Sequence, residues 1–95
     1  MKLYKAIGVM SGTSLDGIDI CYVELSSFEN KYQIIHAETI EYDTYWRKRL
    51  ADAIDISGES LTKLDIEYGH FLGEQILQFI EKNQIQTIDF IASHG

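Results

Sequence analysis

The chain has 95 residues, the size of one small domain with a modest core. Its 15 acidic and 8 basic residues give a formal net charge of −7, which argues against a nucleic-acid partner, because nucleic-acid phosphates require basic contacts. The single cysteine excludes an internal disulfide. The sequence has no apolar stretch typical of a signal peptide or a membrane span, so we expect a cytoplasmic protein with no membrane partner.

The first half of the chain has the pattern of a three-stranded antiparallel meander. Residues 3–9 are almost continuously apolar, as in a strand that is covered on both faces. Residues 18–25 and 32–42 are rich in β-branched and aromatic residues. Short polar turns separate the three segments, so we expect neighbouring strands to pair in order along the chain.

The apolar period then changes to that of an α-helix. Apolar residues recur at helical spacing within residues 46–54, and Asp43 or Thr44 is the candidate N-cap. Gly58 is the predicted end of this first helix.

A second, longer helix is predicted from residue 60 or 62 to a C-cap at Asn83. Its apolar stripe comprises Leu61, Leu64, Tyr68, Phe71, Leu72, Ile76, Phe79 and Ile80. Gly69 and Gly73 lie inside this helix, where each costs on the order of 1 kcal/mol relative to Ala, and this predicts close approach of another backbone. Residues 88–92 form the last predicted strand.

This order, β-β-β-α-α-β, predicts an α/β fold: a mixed sheet with helices packed on it. A strand that returns after helices is expected to lie parallel beside the first strand, reached by a right-handed crossover. The chain contains no proline and no linker pattern, so we expect one domain.

The turn after the first strand carries the residues that are best suited to bind a ligand. It contains Gly12, Gly17, three hydroxyl side chains and Asp16. Backbone N–H groups in such a turn form an anion-binding concavity, and the hydroxyls add donors. The Asp16 carboxylate would repel phosphate unless a hydrated Mg²⁺ lies between them. Two interpretations follow: a nucleotide phosphate loop, or a plain tight turn, which uses the same residue types.

The order of residues favours the first interpretation. Residues 10–19, Met-Ser-Gly-Thr-Ser-Leu-Asp-Gly-Ile-Asp, resemble at ten consecutive positions the signature of the anhydro-N-acetylmuramic acid kinase family. Residues 88–95, in which Ser-His-Gly closes a strand, are also similar to that family, and the segments between resemble it in layout only. The family belongs to the superfamily of sugar kinases, actin and heat-shock chaperone ATPases. Many members of the superfamily carry Asp at the position where this chain has Met10. The metal must then be ordered by Asp16, by Asp19 or by a residue outside this stretch.

The resemblance implies a ribonuclease H-like lobe of the actin-type ATPase kind. Members of the family are several times longer, with two lobes and an active site between them. We therefore expect residues 1–95 to be the amino-terminal part of the first lobe, an incomplete fold that lacks the second lobe.

The resemblance also assigns roles to residues. The implied ATP-binding residues are Gly12, Thr13, Ser14, Leu15, Asp16, Gly17, Ile18 and Asp19. The glycines would let the backbone close around the phosphates, Thr13 and Ser14 would donate to them, and Asp16 would order the waters of Mg²⁺. Asp19 would either reach the loop or cap the turn. His94 is either a substrate contact near the same cleft or a polar strand terminus.

The implied activity is that of a kinase that uses ATP, Mg²⁺ and water. It would hydrolyse the 1,6-anhydro bond of anhydro-N-acetylmuramic acid and form N-acetylmuramic acid 6-phosphate during peptidoglycan recycling. The general base, an Asp, is expected beyond Gly95, so residues 1–95 alone are expected to be inactive. Its partners would be small molecules, and a homodimer of the full-length protein is left open. Two alternatives remain: another sugar or carboxylate kinase of the superfamily, or a non-catalytic ATP-driven switch of the actin or chaperone type.

Overall fold

The computed structural model describes residues 3–11, 17–27, 31–55 and 58–94. The strands are β1 (Leu3–Met10), β2 (Gly17–Ser26), β3 (Lys31–Glu41) and β4 (Phe90–His94), and the helices are α1 (Thr44–Ala51) and α2 (Gly58–Lys82). A short 3₁₀ turn, Asp52–Asp55, follows α1. The predicted order of elements is confirmed.

The four strands form one mixed sheet in the order β3-β2-β1-β4. The pairs β1–β2 and β2–β3 are antiparallel, as expected for strands joined by short connections. β4 returns after the helices and pairs with β1 in parallel, with Ala6 opposite Phe90 and Met10 opposite His94. This confirms the predicted meander and the predicted position of the last strand.

The core lies between one face of the sheet and the two helices. Ile7, Val9, Ile18 and Ile20 are buried in the sheet, and Phe79 of α2 is only 1% exposed against them. Partly buried residues complete the cluster: Ile40, Trp46, Leu50, Tyr68, Phe71, Leu72, Ile76, Ile80, Ile85 and Ile88. Complete burial of one such side chain contributes roughly 1.5–3 kcal/mol, so this face supplies most of the stabilisation of the described fold.

The first helix is shorter than predicted. Asp43 is its N-cap, as expected, and its carboxylate accepts the N–H of Trp46 at 2.9 Å. The α-helix ends at Ala51, where the chain tightens into the 3₁₀ turn. The prediction that Gly58 ends α1 is wrong, because Gly58 is the first residue of α2 and its carbonyl accepts the Thr62 hydroxyl at 3.0 Å.

The long helix α2 has 25 residues and confirms most of the predicted stripe. Leu61 is the exception and is 47% exposed in the first turns of the helix. The prediction of close backbone approach at Gly69 and Gly73 is wrong: a Cβ at either position would meet nothing within 4 Å, because both lie beside the apolar stripe rather than on it. Within the described residues, neither helix combines the length and apolarity needed to cross a membrane.

The end of α2 is closed by a Schellman motif with Asn83 as the C-cap, as predicted. The N–H of Ile85 donates to the carbonyl of Ile80 at 3.0 Å, and the N–H of Gln84 donates to that of Glu81 at 3.2 Å. Gln84 takes the left-handed conformation, with φ of 54°. A residue with a Cβ is unfavourable there, so this cap carries local strain.

β4 begins two residues later than predicted. Ile85 and Ile88 pack against the core cluster from the connection that precedes it. Asp89 then makes two hydrogen bonds with Lys5 of β1. The Asp89 N–H donates to the Lys5 carbonyl at 2.7 Å, and the Lys5 N–H donates to the Asp89 carboxylate at 2.7 Å. The apolar pattern therefore starts before the strand, because Ile88 already packs on the core while regular strand pairing begins only after the bonds of Asp89.

Among the described residues, two ion pairs connect the helices to their neighbours. Arg49 of α1 bonds with Glu67 of α2 and lies over the rings of Tyr45 and Trp46. The hydrogen bond from Arg49 lowers the pKa of the Glu67 carboxyl below its ordinary value. Lys82, at the end of α2, bonds with Glu38 of β3 at 2.9 Å. Both pairs are partly exposed, so they orient the helices rather than stabilise them strongly.

Gln84→Gly is expected to raise the free energy of unfolding by about 0.5–1 kcal/mol. Glycine relieves the left-handed strain at this position, and the relief exceeds the entropy that glycine loses on folding. Denaturant unfolding monitored by circular dichroism measures the change. Gln86→Gly is the matched control, because Gln86 is exposed in the same connection without a positive φ, and it should be neutral or slightly destabilising. Equal effects of the two substitutions would contradict the strain argument.

Candidate functional site

The predicted phosphate loop connects the end of β1 to the beginning of β2. Met10 ends β1, and Gly17 begins β2. Five of the predicted binding residues, namely Gly12, Thr13, Ser14, Leu15 and Asp16, lie outside the described residues. Their roles in binding phosphate and magnesium stay predictions, and the structure describes the strand ends that carry the loop.

Four strands meet in register beside this loop. Met10 lies opposite Asp19 of β2 and opposite His94 of β4, and Asp19 lies opposite Thr39 of β3. These four residues form one row across the sheet, which we call the terminal row. With neighbouring strands about 4.8 Å apart, the backbones of Asp19 and His94 are about 10 Å from each other. The topology therefore brings the signature and the carboxyl end of the last strand to the same end of the sheet, as predicted.

Asp19 is exposed on the face of the sheet that is opposite the helices. Its neighbours Ile18 and Ile20 are fully buried against the helices, and this confirms that Asp19 points the other way. The Thr39 hydroxyl donates to Asp19 Oδ1 at 2.6 Å. Of the two interpretations for Asp19, reaching the loop or capping the turn, neither included this bond to β3. The carboxylate is therefore held from the neighbouring strand.

Gly17 fits closely against the backbone of β3. A Cβ built on Gly17 would overlap the carbonyl oxygen of Ile40 and lie 3.0 Å from Cα of Glu41. Gly17 does not have a positive φ, so left-handed backbone does not account for the glycine. Glycine is needed here because β3 leaves no space for a side chain, whatever role the residue also has beside phosphate.

The end of β3 is anchored under the helices by Tyr42. This residue is 3% exposed, and its hydroxyl hydrogen-bonds with that of Tyr68 in α2. Burial, followed by the hydrogen bond with Tyr68, raises the pKa of the Tyr42 phenol well above its ordinary value, so Tyr42 stays neutral. Tyr42 also packs against Phe71. The β3 backbone that supports Gly17 and Asp19 is thus fixed to the core.

The two remaining candidates, Ile18 and His94, differ in where the structure places them. Ile18 as a whole residue is 0% exposed, so it presents no surface to a nucleotide in this structure, and its role in binding stays a prediction. His94 ends β4 in the terminal row, but its side chain lies outside the described part of the chain. The prediction that His94 contacts substrate therefore stays a prediction, supported by position alone.

The donors described near the signature fit a magnesium ion that is held mainly by water and phosphate oxygens. Mg²⁺ at phosphoryl-transfer sites keeps several waters and takes one or two protein carboxylates. Asp19 supplies one exposed carboxylate near the start of β2, just after the loop. Within residues 3–11, 17–27, 31–55 and 58–94, no group of three or more His, Cys, Asp or Glu side chains is placed to hold a metal. This donor set suits a cation shared with nucleotide phosphates and does not suit an all-protein cage.

Sequence reasoning missed the contribution of β3 to this site. Thr39, Ile40 and Tyr42 contact the signature or anchor the strand that does, yet none belongs to a motif. The alternation of β3 shows that Thr39 and Ile40 face opposite ways, but it does not give their partners. Only the register between β2 and β3, which shifts once at Tyr22 and Val23, places Thr39 opposite Asp19.

Comparisons with known proteins agree with the signature. The family model for anhydro-N-acetylmuramic acid kinase matches residues 4–95. A relative from Legionella pneumophila (strain Corby) is 36% identical over 100 residues, which cover 100% of this chain and 26% of the relative. A relative from Francisella tularensis subsp. novicida is 32% identical over 103 residues, which cover 100% of this chain and 27% of the relative. A third relative, from Pseudoalteromonas atlantica, is 32% identical over 96 residues, which cover 94% of this chain and 24% of the relative.

All three relatives carry the name anhydro-N-acetylmuramic acid kinase. The chain spans about a quarter of the length of these curated relatives. The comparisons therefore concern one part of proteins that are much longer.

Gly17→Ala is expected to destabilise the chain by about 2–3 kcal/mol, because the new methyl group overlaps β3 backbone that cannot move without disturbing Tyr42. Gly69→Ala is the control: a Cβ there meets nothing, so it should stabilise α2 by about 1 kcal/mol. Denaturant unfolding measures both changes. A neutral effect of Gly17→Ala would show that the β2–β3 contact is looser than described.

Proposed function

Because the chain belongs to the anhydro-N-acetylmuramic acid kinase family, we propose that the protein carrying it converts anhydro-N-acetylmuramic acid to N-acetylmuramic acid 6-phosphate. In this reaction water opens the 1,6-anhydro bond, and the freed 6-oxygen takes the γ-phosphate of ATP. The product belongs to peptidoglycan recycling. Residues 1–95 supply the part of the enzyme that holds the phosphates of ATP.

The observation that carries this proposal is the match of the family model over residues 4–95, which includes the ten-residue signature. The described fold supports it in a second way. The signature connects two paired strands, and the carboxyl end of parallel β4 lies beside it in the terminal row. Ligands of open α/β sheets bind at the carboxyl ends of strands. We therefore propose that this sheet is the amino-terminal part of a ribonuclease H-like lobe of the actin type.

We assign the signature residues to the phosphates by their chemistry. Gly12, Thr13 and Ser14 would donate backbone and hydroxyl hydrogen bonds to the β- and γ-phosphates, and the backbone of Leu15 would complete the concavity. When bound, Mg²⁺ neutralises charge on the transferred phosphoryl group. Asp16 and Asp19 would hold the water shell of Mg²⁺.

The remaining chemistry is assigned outside this chain. The general base that activates the attacking water is expected beyond Gly95, because none of the described carboxylates has a context that suits one. Residues 1–95 alone should therefore bind nucleotide weakly and transfer no phosphate. A substrate contact at His94, a cytoplasmic location and a homodimer of the full-length protein stay predictions.

The full-length protein that carries these residues, given ATP, Mg²⁺ and anhydro-N-acetylmuramic acid, should form the 6-phosphate, detected by mass spectrometry. Asp16→Asn should lower kcat/KM by about 100-fold, since it removes a charge that orders the metal's waters. Asp65→Asn is the matched control: Asp65 is exposed on α2, and the same change there should have no effect.

The same assay separates the alternatives. Phosphorylation of a different sugar or of a carboxylate would favour another kinase of the superfamily. Slow ATP hydrolysis without any acceptor, together with a nucleotide-dependent change of conformation, would favour a switch of the actin or chaperone type. A folded full-length protein that binds no ATP would contradict all three.

A further inference from the structure

The end of β3 contacts the described half of the signature at two alternate positions. Gly17 lies opposite Glu41, and Asp19 lies opposite Thr39 in the β2–β3 register. At the first position the fit is so close that a Cβ would overlap the Ile40 carbonyl. At the second, the Thr39 hydroxyl donates to Asp19 Oδ1 at 2.6 Å. One strand therefore sets both the path of the backbone and the orientation of the carboxylate.

The Thr39–Asp19 bond differs from an ordinary pair on the surface of a sheet. A charge-assisted O–H···O⁻ bond of this length is among the stronger hydrogen bonds of a protein. It occupies one carboxylate oxygen and leaves Oδ2 and the remaining lone pairs unassigned. The bond therefore fixes the carboxylate plane without neutralising its charge.

The surroundings of this pair are open to a ligand. Asp19 and Thr39 border a shallow groove of about 270 Å³, lined also by Ile20, Cys21, Ala37 and Glu38. Met10, the next residue along the terminal row, is 59% exposed and has no charged group. Among the residues described in that row, Asp19 is the one with a carboxylate, near the start of β2, where the loop ends.

We propose that Thr39 is a positioning residue for Asp19 and holds its carboxylate toward the hydrated magnesium ion of bound MgATP. The proposal rests on the proposed function and adds to it a residue that lies outside the signature. A carboxylate on a strand end has free rotation about χ1 and χ2, and a hydrogen bond from the neighbouring strand removes that freedom before the nucleotide arrives. Thr39 acts through Asp19 and does not itself touch the nucleotide.

The test uses the full-length protein and two substitutions at one position. Thr39→Val removes the hydroxyl and keeps the shape and the β-propensity, whereas Thr39→Ser keeps the hydroxyl. The dissociation constant of MgATP is measured by calorimetry at low and high Mg²⁺, and kcat and KM are measured beside it. We expect Thr39→Val to weaken MgATP binding about tenfold at low Mg²⁺ and less at high Mg²⁺. Thr39→Ser should stay within about twofold of the unsubstituted protein.

Two controls separate positioning from stability. Thr62→Val removes a threonine hydroxyl that donates to Gly58 at the start of α2, far from the signature in sequence, and should leave MgATP binding unchanged. In an Asp19→Asn background, Thr39→Val should cause no further loss, because the carboxylate that it positions is no longer charged. Should Thr39→Val fail to fold, Thr39→Ala is compared with Thr39→Ser in the same way.

Each outcome decides the matter. Equal MgATP affinity in Thr39→Val and the unsubstituted protein would overturn the proposal while leaving the kinase assignment intact. So would equal losses in Thr39→Val and Thr39→Ser, or a further loss in the Asp19→Asn background as large as that in the unsubstituted protein. Absence of MgATP binding by the unsubstituted protein would instead overturn the proposed function itself.

Discussion

The packing of α2 on the sheet is the interaction on which the rest of the structure depends. Phe79 inserts among Ile7, Val9, Ile18 and Ile20, so one helix is held against both strands that flank the signature. The same helix leads into the connection that returns the chain to β1. This contact positions the returning chain so that β4 pairs in parallel with β1, and the terminal row depends on that pairing.

Support for the signature comes from outside the signature. A glycine followed by an aspartate two residues later is easily interpreted as phosphate-binding chemistry alone. In the structure, Gly17 is also required by the crowding of the Ile40 carbonyl, and Asp19 is held by the Thr39 hydroxyl. β3 can provide this support because Tyr42 anchors its end beneath α2. The conformation at the start of β2 is therefore set by tertiary contacts as well as by local sequence.

Local patterns predicted what depends on neighbours in sequence. Apolar periodicity gave the order of the strands and helices, and side-chain chemistry identified the caps at Asp43 and Asn83, because each cap bonds within four residues. The errors have different causes. Gly58 opens α2 instead of closing α1, because glycine can stand at either end of a helix and the local pattern did not separate the two. Asp89 delays β4 through its long-range bonds to Lys5. The sequence alone could not place Thr39 beside Asp19, since that pairing depends on register.

The central claim is that the turn between β1 and β2 holds the phosphates of ATP with magnesium. The most direct measurement is a crystal structure of the full-length protein with Mg²⁺ and a non-hydrolysable ATP analogue. We predict the γ-phosphate within hydrogen-bond distance of backbone N–H groups of residues 12–17, with the metal's waters contacting a carboxylate of the signature. A nucleotide bound elsewhere, with this turn closed on itself and its amides directed inward, would contradict the account.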